Sequence, residues 1–87
     1  MEIQIGSAVL SKAGRDKGRY MAVVGKEGDA LLVADGTLRR IERPKKKNIL
    51  HLGMTNTIIS KDQLTDNRKL KTALKGRFGS MLHDEEV

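Results

Sequence analysis

The sequence predicts a small, mainly β domain: an antiparallel barrel of about five strands followed by a C-terminal α-helix. Three observations indicate this fold. Short apolar runs alternate with polar turns at intervals of about 8 to 12 residues, a spacing typical of small barrels. The dipeptide Asp35-Gly36 is a strong hairpin signal between two such runs. After Gly53 the composition changes and leucines recur at helical spacing.

Four strands are predicted in the first half of the chain. Their apolar residues include β-branched and aromatic types, which suit a half-buried pleated surface. Residues 26–29, KEGD, form a polar turn between the second and third strands. In the fourth strand, a bulge near Arg39 and Arg40 would restore the alternation that the spacing of Leu38 and Ile41 breaks. The predicted strands cover residues 5–12, 18–25, 30–34 and 37–41.

The chain is then predicted to close the barrel and leave it. Pro44 ends the fourth strand because proline lacks an N–H to donate. Residues 48–52, NILHL, are apolar enough for a fifth strand, which completes a barrel domain over residues 1–53. Residues 54–60 form a polar connection, and its two isoleucines could pack against the open end of the barrel.

A helix is predicted over residues 66–75. Ser60 or Thr65 can cap its start, and Ser60 with Gln63 matches the capping-box pattern. Gly76 lies where a helix-ending glycine would lie. The helix would pack on the barrel and bring further cations to the protein surface, namely Arg68, Lys69 and Lys71. We therefore divide the rest of the chain into a connection and helix over residues 54–78 and an acidic, flexible tail over residues 79–87.

A basic loop, AGRDKGR, joins the first two strands and is too polar for a core. Gly14 and Gly18 tolerate positive φ, which permits a tight loop whose backbone comes close to a partner. Arg15, Lys17 and Arg19 are suited to bind phosphate, whereas the aspartate among them is expected to be a local turn residue. The alternative is an ordinary polar turn without a partner.

Six residues of this region follow the order glycine, apolar residue, glycine, lysine-glycine, apolar residue. They are Gly6, Val9, Gly14, Lys17, Gly18 and Val23. The pattern resembles the KOW motif of ribosomal proteins and transcription elongation factors, and this resemblance implies a small SH3-like β-barrel. The longer string SKAGRDKGR, with VADG and RPKKKN after it, is most similar to the stand-alone KOW-domain RNA-binding proteins of bacteria. Those proteins are similar to a large-subunit ribosomal protein of archaea and eukaryotes. The resemblance covers residues 5–52 and implies that the loop at residues 14–19 contacts RNA.

The strongest concentration of charge lies in residues 39–47, RRIERPKKK. Six cations and one glutamate give this segment a net charge of +5, most of the +6 of the whole chain. Lysines on a loop bind phosphates as point charges, and such binding weakens steeply with salt. The alternative is a solvated loop that protects a sheet edge. The residues predicted to bind RNA are Lys12, Gly14, Arg15, Lys17, Gly18, Arg19, Arg39, Arg40, Arg43, Lys45, Lys46, Lys47 and Asn48.

Composition limits the classes of protein to which the chain can belong. Its 87 residues suffice for one domain, and a pI near 9.9 favours a polyanionic partner such as nucleic acid. The absence of cysteine excludes disulfides and thiolate zinc sites and fits a cytoplasmic protein. No apolar run approaches the roughly 18 residues that span a bilayer, and no basic signal-peptide leader is present, so no membrane partner is expected.

No pattern of catalytic residues is evident in the sequence. His51 lies among apolar residues, where a structural imidazole is expected rather than a ligand or a base. The acidic residues of the tail could hold a divalent ion weakly, but we expect a solubilising role. We therefore expect no enzyme activity, no cofactor and no metal site. Tyr20 is expected at the core or the barrel edge, which leaves almost nothing to stack on bases, so the RNA would be recognised through its backbone and shape.

The sequence thus predicts a cytoplasmic RNA-binding protein, ribosome-associated or translation-related, whose partner is structured RNA and above all ribosomal RNA. Its partners could also include ribosomal proteins or the transcription machinery. The alternative is a protein-interaction module of the transcription-elongation KOW kind, in which the cations only steer association. Positive charge alone does not separate RNA from DNA as the partner.

Overall fold

The computed structural model describes residues 3–79, which form one antiparallel sheet of five strands and a C-terminal α-helix. The predicted mainly β fold class is confirmed. The strands are β1 (Ser7–Ser11), β2 (Tyr20–Glu27), β3 (Ala30–Ala34), β4 (Lys45–Asn48) and β5 (Leu52–Ile58). The helices are a first 3-10 helix (Ile49–His51), a second 3-10 helix (Lys61–Leu64) and the α-helix α1 (Asn67–Phe78).

The strands lie in the order β4-β3-β2-β1-β5. Each of the first four strands pairs with its neighbour in the chain, and β5 returns to pair with β1. The registers place Val9 opposite Met21 and Val23 opposite Val33, so β1, β2 and β3 share one apolar layer. This strand order is consistent with an SH3-like barrel, and closure of the sheet into a barrel stays a prediction.

The prediction of a strand over residues 37–41 is wrong, because the chain forms a turn there. An oxygen of the Asp35 carboxylate accepts hydrogen bonds from the backbone N–H groups of Thr37, at 2.9 Å, and Arg39, at 2.8 Å. The carbonyl of Arg39 in turn accepts from the N–H groups of Asp35 and Gly36. These bonds use the backbone groups that a strand would need for its ladder, and no bulge forms at Arg39 and Arg40.

The fourth strand is instead the lysine-rich segment predicted as a loop. In β4, Lys45 lies opposite Val33 and Lys47 lies opposite Leu31. Pro44 therefore precedes this strand and does not end one. Lysine has a low preference for strands, but β4 lies at the edge of the sheet, where lysine side chains discourage pairing with other molecules.

The fifth strand also begins later than predicted. Residues 49–51 form the first 3-10 helix, in which the side chain of Asn48 accepts a hydrogen bond from the N–H of Leu50. β5 then continues to Ile58, so the polar connection predicted after Gly53 is strand, and β5 runs across the boundary placed at residue 53. Ile59 is buried between the sheet and α1, whereas Ile58 is half exposed, so one of the two isoleucines expected to pack does so.

The α-helix is longer than predicted and has a different cap. Asp66 caps its start by accepting a hydrogen bond from the N–H of Arg68. The capping box of Ser60 is present, but it caps the second 3-10 helix. Gly76 lies inside α1, and the helix ends at Gly79, whose φ of 59° is in the glycine-favouring region. Of the tail predicted over residues 79–87, only Gly79 lies within the described residues.

The core is divided between the two sides of the sheet. One cluster joins β1, β2, β3 and β5 through buried aliphatic side chains, namely Val9, Met21, Val23, Leu31, Val33 and Leu52. The second cluster joins the sheet to the helix and consists of Ala8, Ala22, Ala34, Ile59, Leu70 and Leu74. Alanine on three adjacent strands leaves room for α1 to approach the sheet, and that approach fixes the helix beside the 35–43 loop (residues 35–43, between β3 and β4).

Candidate nucleic-acid interface

The 12–19 loop (residues 12–19, between β1 and β2) has a defined backbone conformation. Gly14 and Gly18 adopt φ values of 79° and 90°, as their predicted role requires. The N–H of Gly18 donates to the carbonyl of Ser11 at 2.8 Å, and the N–H of Lys17 donates to that of Gly14 at 3.1 Å. These bonds hold the loop in a tight turn, from which Lys12, Arg15 and Lys17 are exposed.

Two reciprocal ion pairs join the 12–19 loop to the 35–43 loop. Arg19 Nη1 lies 3.0 Å from Asp35 Oδ2, and Arg39 Nε lies 3.2 Å from Asp16 Oδ2. Each loop thus supplies one arginine and one aspartate. Both aspartates are buried, and Asp16 is only 1% exposed. The two pairs neutralise the only carboxylates of the 12–19 loop and of the Asp35 turn, and they bring the two predicted basic segments together.

The three lysines of β4 have different surroundings. Side chains alternate along a strand, so Lys45 and Lys47 share one face and Lys46 lies on the other. Lys47 is buried at 7% exposure, and its ammonium donates a 2.7 Å hydrogen bond to the carbonyl of Ala13 in the 12–19 loop. Lys46 is exposed and lies 3.6 Å from Glu27. Lys45 is exposed and has no carboxylate within 4 Å among the described residues.

The predicted RNA-binding residues therefore fall into groups. One group is exposed and consists of Lys12, Gly14, Arg15, Lys17, Gly18, Arg40, Arg43, Lys45, Lys46 and Asn48. Arg19 and Arg39 are partly exposed and hold the loops together. Lys47 supports the 12–19 loop from beneath. The structure brings the 12–19 loop into contact with the 35–43 loop and, separately, with Lys47.

An open groove of about 540 Å³ separates the 35–43 loop from the start of α1. Gly36, with φ of 86°, packs so closely on the helix that a Cβ there would overlap the carbonyl oxygen of Asn67. The Asn67 side chain accepts a 2.7 Å hydrogen bond from the N–H of Ile41 and donates to both carboxylate oxygens of Glu42. Arg40 and other cations line the groove.

The bond from Asn67 has an electrostatic consequence for Glu42. It is the largest cause that lowers the pKa of the Glu42 carboxyl, followed by a backbone hydrogen bond and the nearby charge of Arg40. The same side chain of Asn67 therefore positions the glutamate and favours its ionised form. Sequence reasoning missed Asn67, because an asparagine at a helix start ordinarily indicates only a cap.

Two comparisons with known proteins found no match: no protein-family model matches the chain, and no curated protein matches it. The KOW resemblance therefore stays a prediction from the sequence motif, whose residues are Gly6, Val9, Gly14, Lys17, Gly18 and Val23.

The aromatic and histidine side chains and the carboxylates offer no further binding or metal site within the described residues. The rings of Tyr20 and Phe78 stack on each other, with centroids 3.8 Å apart and planes 3° apart. His51 is exposed on the first 3-10 helix, so the prediction of a structural imidazole among apolar residues is wrong. Within residues 3–79, no three histidine or carboxylate side chains come together in a way that could hold a metal ion. None of the described helices has the length and apolarity needed to cross a membrane.

Proposed function

We propose that this protein binds structured RNA through the joined face of the 12–19 and 35–43 loops. The observation that carries the proposal is the pair of reciprocal ion pairs, Arg19 with Asp35 and Arg39 with Asp16. They neutralise the buried carboxylates of both loops and hold the loops in one arrangement. The exposed cations around them then present a positive surface with fixed geometry, which suits a polyanion.

Phosphate groups are the part of the RNA that this face would contact. Lys12, Arg15 and Lys17 are exposed and have no carboxylate within 4 Å among the described residues. Gly18 has open space where a Cβ would lie, so an RNA backbone can approach the loop closely there. Arginine can bind a phosphate through two parallel hydrogen bonds, and lysine binds it as a point charge.

The aromatic residues support recognition through shape and backbone over base stacking. The chain has one tyrosine, one phenylalanine and no tryptophan. Both rings are partly buried, and each covers a face of the other. Sequence-specific binding of single-stranded RNA ordinarily uses exposed aromatic platforms. We therefore propose a folded RNA as the partner, and ribosomal RNA in particular because the KOW resemblance implies it.

Ultraviolet crosslinking in cells, followed by sequencing of the bound RNA, tests this function. The tagged wild-type protein should yield reads concentrated on a few ribosomal RNA helices. An Arg15→Glu/Lys17→Glu variant should lose most of these reads, because it reverses two exposed charges of the loop. A Lys26→Glu/Lys61→Glu variant changes the same charge elsewhere on the surface and should retain them. Background-level crosslinking of the wild-type protein would contradict the proposal.

A protein-interaction module is the second candidate function, and exposed apolar residues favour it. Ile49 and Leu50, on the first 3-10 helix, are 43% and 78% exposed. Apolar side chains of this kind can anchor a partner protein. Affinity purification with and without nuclease separates the two candidates: partners held by a protein surface survive nuclease, whereas partners bridged by RNA are lost.

A further inference from the structure

The helix α1 carries a row of three cations along one side. Arg68, Lys71 and Lys75 are spaced by three and four residues, which places them in line on a helix surface. All three are exposed, and none has a carboxylate within 4 Å among residues 3–79. We call these three residues the helix row.

The other cations of α1 are engaged elsewhere. Lys69 lies 3.7 Å from Asp62, in the second 3-10 helix. Arg77 Nε donates a 2.9 Å hydrogen bond to the hydroxyl of Thr57, in β5. The helix therefore directs two of its cations to neighbouring elements and leaves the helix row available to a partner.

The helix row lies beside the proposed RNA-binding face. Gly36 contacts the backbone of α1, where a Cβ at Gly36 would come 3.0 Å from the N–H nitrogen of Lys71. The adjacent residue, Asp35, is joined by its ion pair to Arg19 in the 12–19 loop. The 35–43 loop thus contacts both the helix that carries the helix row and the 12–19 loop that carries the other exposed cations.

The groove between the loop and the helix is basic in effect. Arg40, Arg68 and Lys71 line it, together with the carboxylates of Glu42 and Asp66. Both carboxylates already accept hydrogen bonds: Glu42 from the Asn67 side chain, and Asp66 from the N–H of Arg68. Arg40 Nε also lies 3.8 Å from Glu42 Oε1, so the lining cations without a carboxylate partner among the described residues are Arg68 and Lys71.

We propose that the helix row is a second phosphate-binding surface, and that the partner is an RNA duplex lying across both surfaces. This inference rests on the proposed function. Lys75 lies seven positions after Arg68, a rise of about 10 Å along the helix, so the row is long enough to contact more than one phosphate. Two cation groups on one rigid domain fit phosphates that are also held in fixed positions. An A-form duplex provides these, whereas a flexible strand must be ordered before it can bind.

The salt dependence of binding to a hairpin RNA, with a stem of about 16 base pairs, tests the inference. The test variant is Arg68→Gln/Lys71→Gln/Lys75→Gln, which keeps good helix formers at every position. We expect the slope of log K against log salt to become shallower by about 2 to 3, and the affinity near 0.1 M salt to fall by about 100-fold. The single-stranded half of the hairpin should bind more weakly than the hairpin.

The control variant, Lys26→Gln/Lys61→Gln/Lys69→Gln, removes the same charge from exposed positions outside the helix row and should keep nearly the wild-type slope. Thermal unfolding shows whether both variants fold. If wild-type protein binds the hairpin but the test variant matches the control, the helix row is not a phosphate surface. Equal affinities for the hairpin and the single strand would contradict the proposal that the partner is an RNA duplex. If wild-type protein binds no RNA, the proposed function fails and the inference fails with it.

Discussion

Arg39 reaches across two loops and places its Nε atom 3.2 and 3.3 Å from the two carboxylate oxygens of Asp16. The Asp16 side chain is 1% exposed, while the Arg39 side chain is 25% exposed. The pair therefore combines a desolvated carboxylate with a partly solvated guanidinium. Loss of the ion pair would therefore cost more for the buried carboxylate, which has no access to water, than for the arginine, which does.

Replacing Asp16 with asparagine should destabilise the fold by about 2 kcal/mol, because the buried hydrogen bond from Arg39 loses its charged acceptor. This loss of stability is smaller than that expected for a fully buried ion pair, because water already screens the charge of Arg39. Urea unfolding measures it. The control is Glu27→Gln, which breaks the exposed pair with Lys46 and should change stability by less than about 0.5 kcal/mol. Equal losses of stability in the two variants would show that the buried ion pair stabilises the fold no more than an exposed one.

The close approach of Gly36 to α1 gives a second prediction. Gly36→Ala should cost about 2 to 4 kcal/mol, because it combines a positive φ with an overlap against the Asn67 carbonyl. Gly28→Ala is the matched control: its φ is also positive, at 62°, but nothing lies within 4 Å of the added Cβ. It should cost about 1 kcal/mol from backbone strain alone. Thermal or urea unfolding gives both values, and similar losses would mean that the loop can move off the helix.

The ionisation of Glu42 provides a test of the contact between the 35–43 loop and α1. In Asn67→Ala, the pKa of Glu42 should rise toward its ordinary value, because the largest cause of its lowering is gone. In Arg40→Gln the rise should be smaller, since the charge of Arg40 is a lesser cause. NMR titration of the Glu42 carboxyl measures both shifts. An unchanged pKa in Asn67→Ala would rule out this hydrogen bond in solution.

The sign of the accompanying stability effect follows from the direction of the shift. A carboxyl whose pKa is lowered on folding stabilises the folded state above the pKa it has in the unfolded chain. That contribution disappears as the pH falls through the lower pKa of the folded state. Wild-type protein should therefore lose this part of its stability in acid, whereas Asn67→Ala should show a smaller loss over the same pH range.

Local patterns predicted β1, β2, β3 and α1, because alternation and helical spacing are properties of a few consecutive residues. The segment ALLVA became β3 over the predicted residues. The fourth strand failed for a reason of longer range. The Asp35 carboxylate accepts hydrogen bonds from the backbone N–H groups of Thr37 and Arg39, which prevents a strand there. The strand β4 forms instead from a lysine-rich segment at the edge of the sheet. Neither effect is visible in the apolar pattern.

The candidate site was predictable in composition but not in its internal contacts. The conformations of Gly14 and Gly18 and the exposure of Lys12 follow from residue type. The pairing of Asp16 with Arg39, 23 residues apart, does not. Asp16 lies among the cations of the 12–19 loop, and Asp35 lies four residues before Arg39. These two aspartates were the available sequence signal that some arginines would be used within the fold.

Lys45 and Lys47 offer the sharpest separation of a contact residue from a supporting one. Lys47→Met keeps the apolar stem but removes the 2.7 Å bond to the Ala13 carbonyl, so stability should fall by about 1 to 2 kcal/mol. Lys45→Met makes the same chemical change at an exposed position of the same strand and should alter stability by less than about 0.5 kcal/mol.

Binding to the hairpin RNA should show the opposite order. Lys45→Met removes one exposed cation, so the salt slope should become shallower by about 1. Lys47→Met should leave the slope near that of wild-type protein, because the buried ammonium binds a carbonyl of its own chain and releases no counterion from the RNA. Unfolding and salt-titration data on the same two variants measure both quantities. If Lys47→Met changes the slope as much as Lys45→Met and leaves stability intact, the lysine contacts RNA directly and does not support the 12–19 loop.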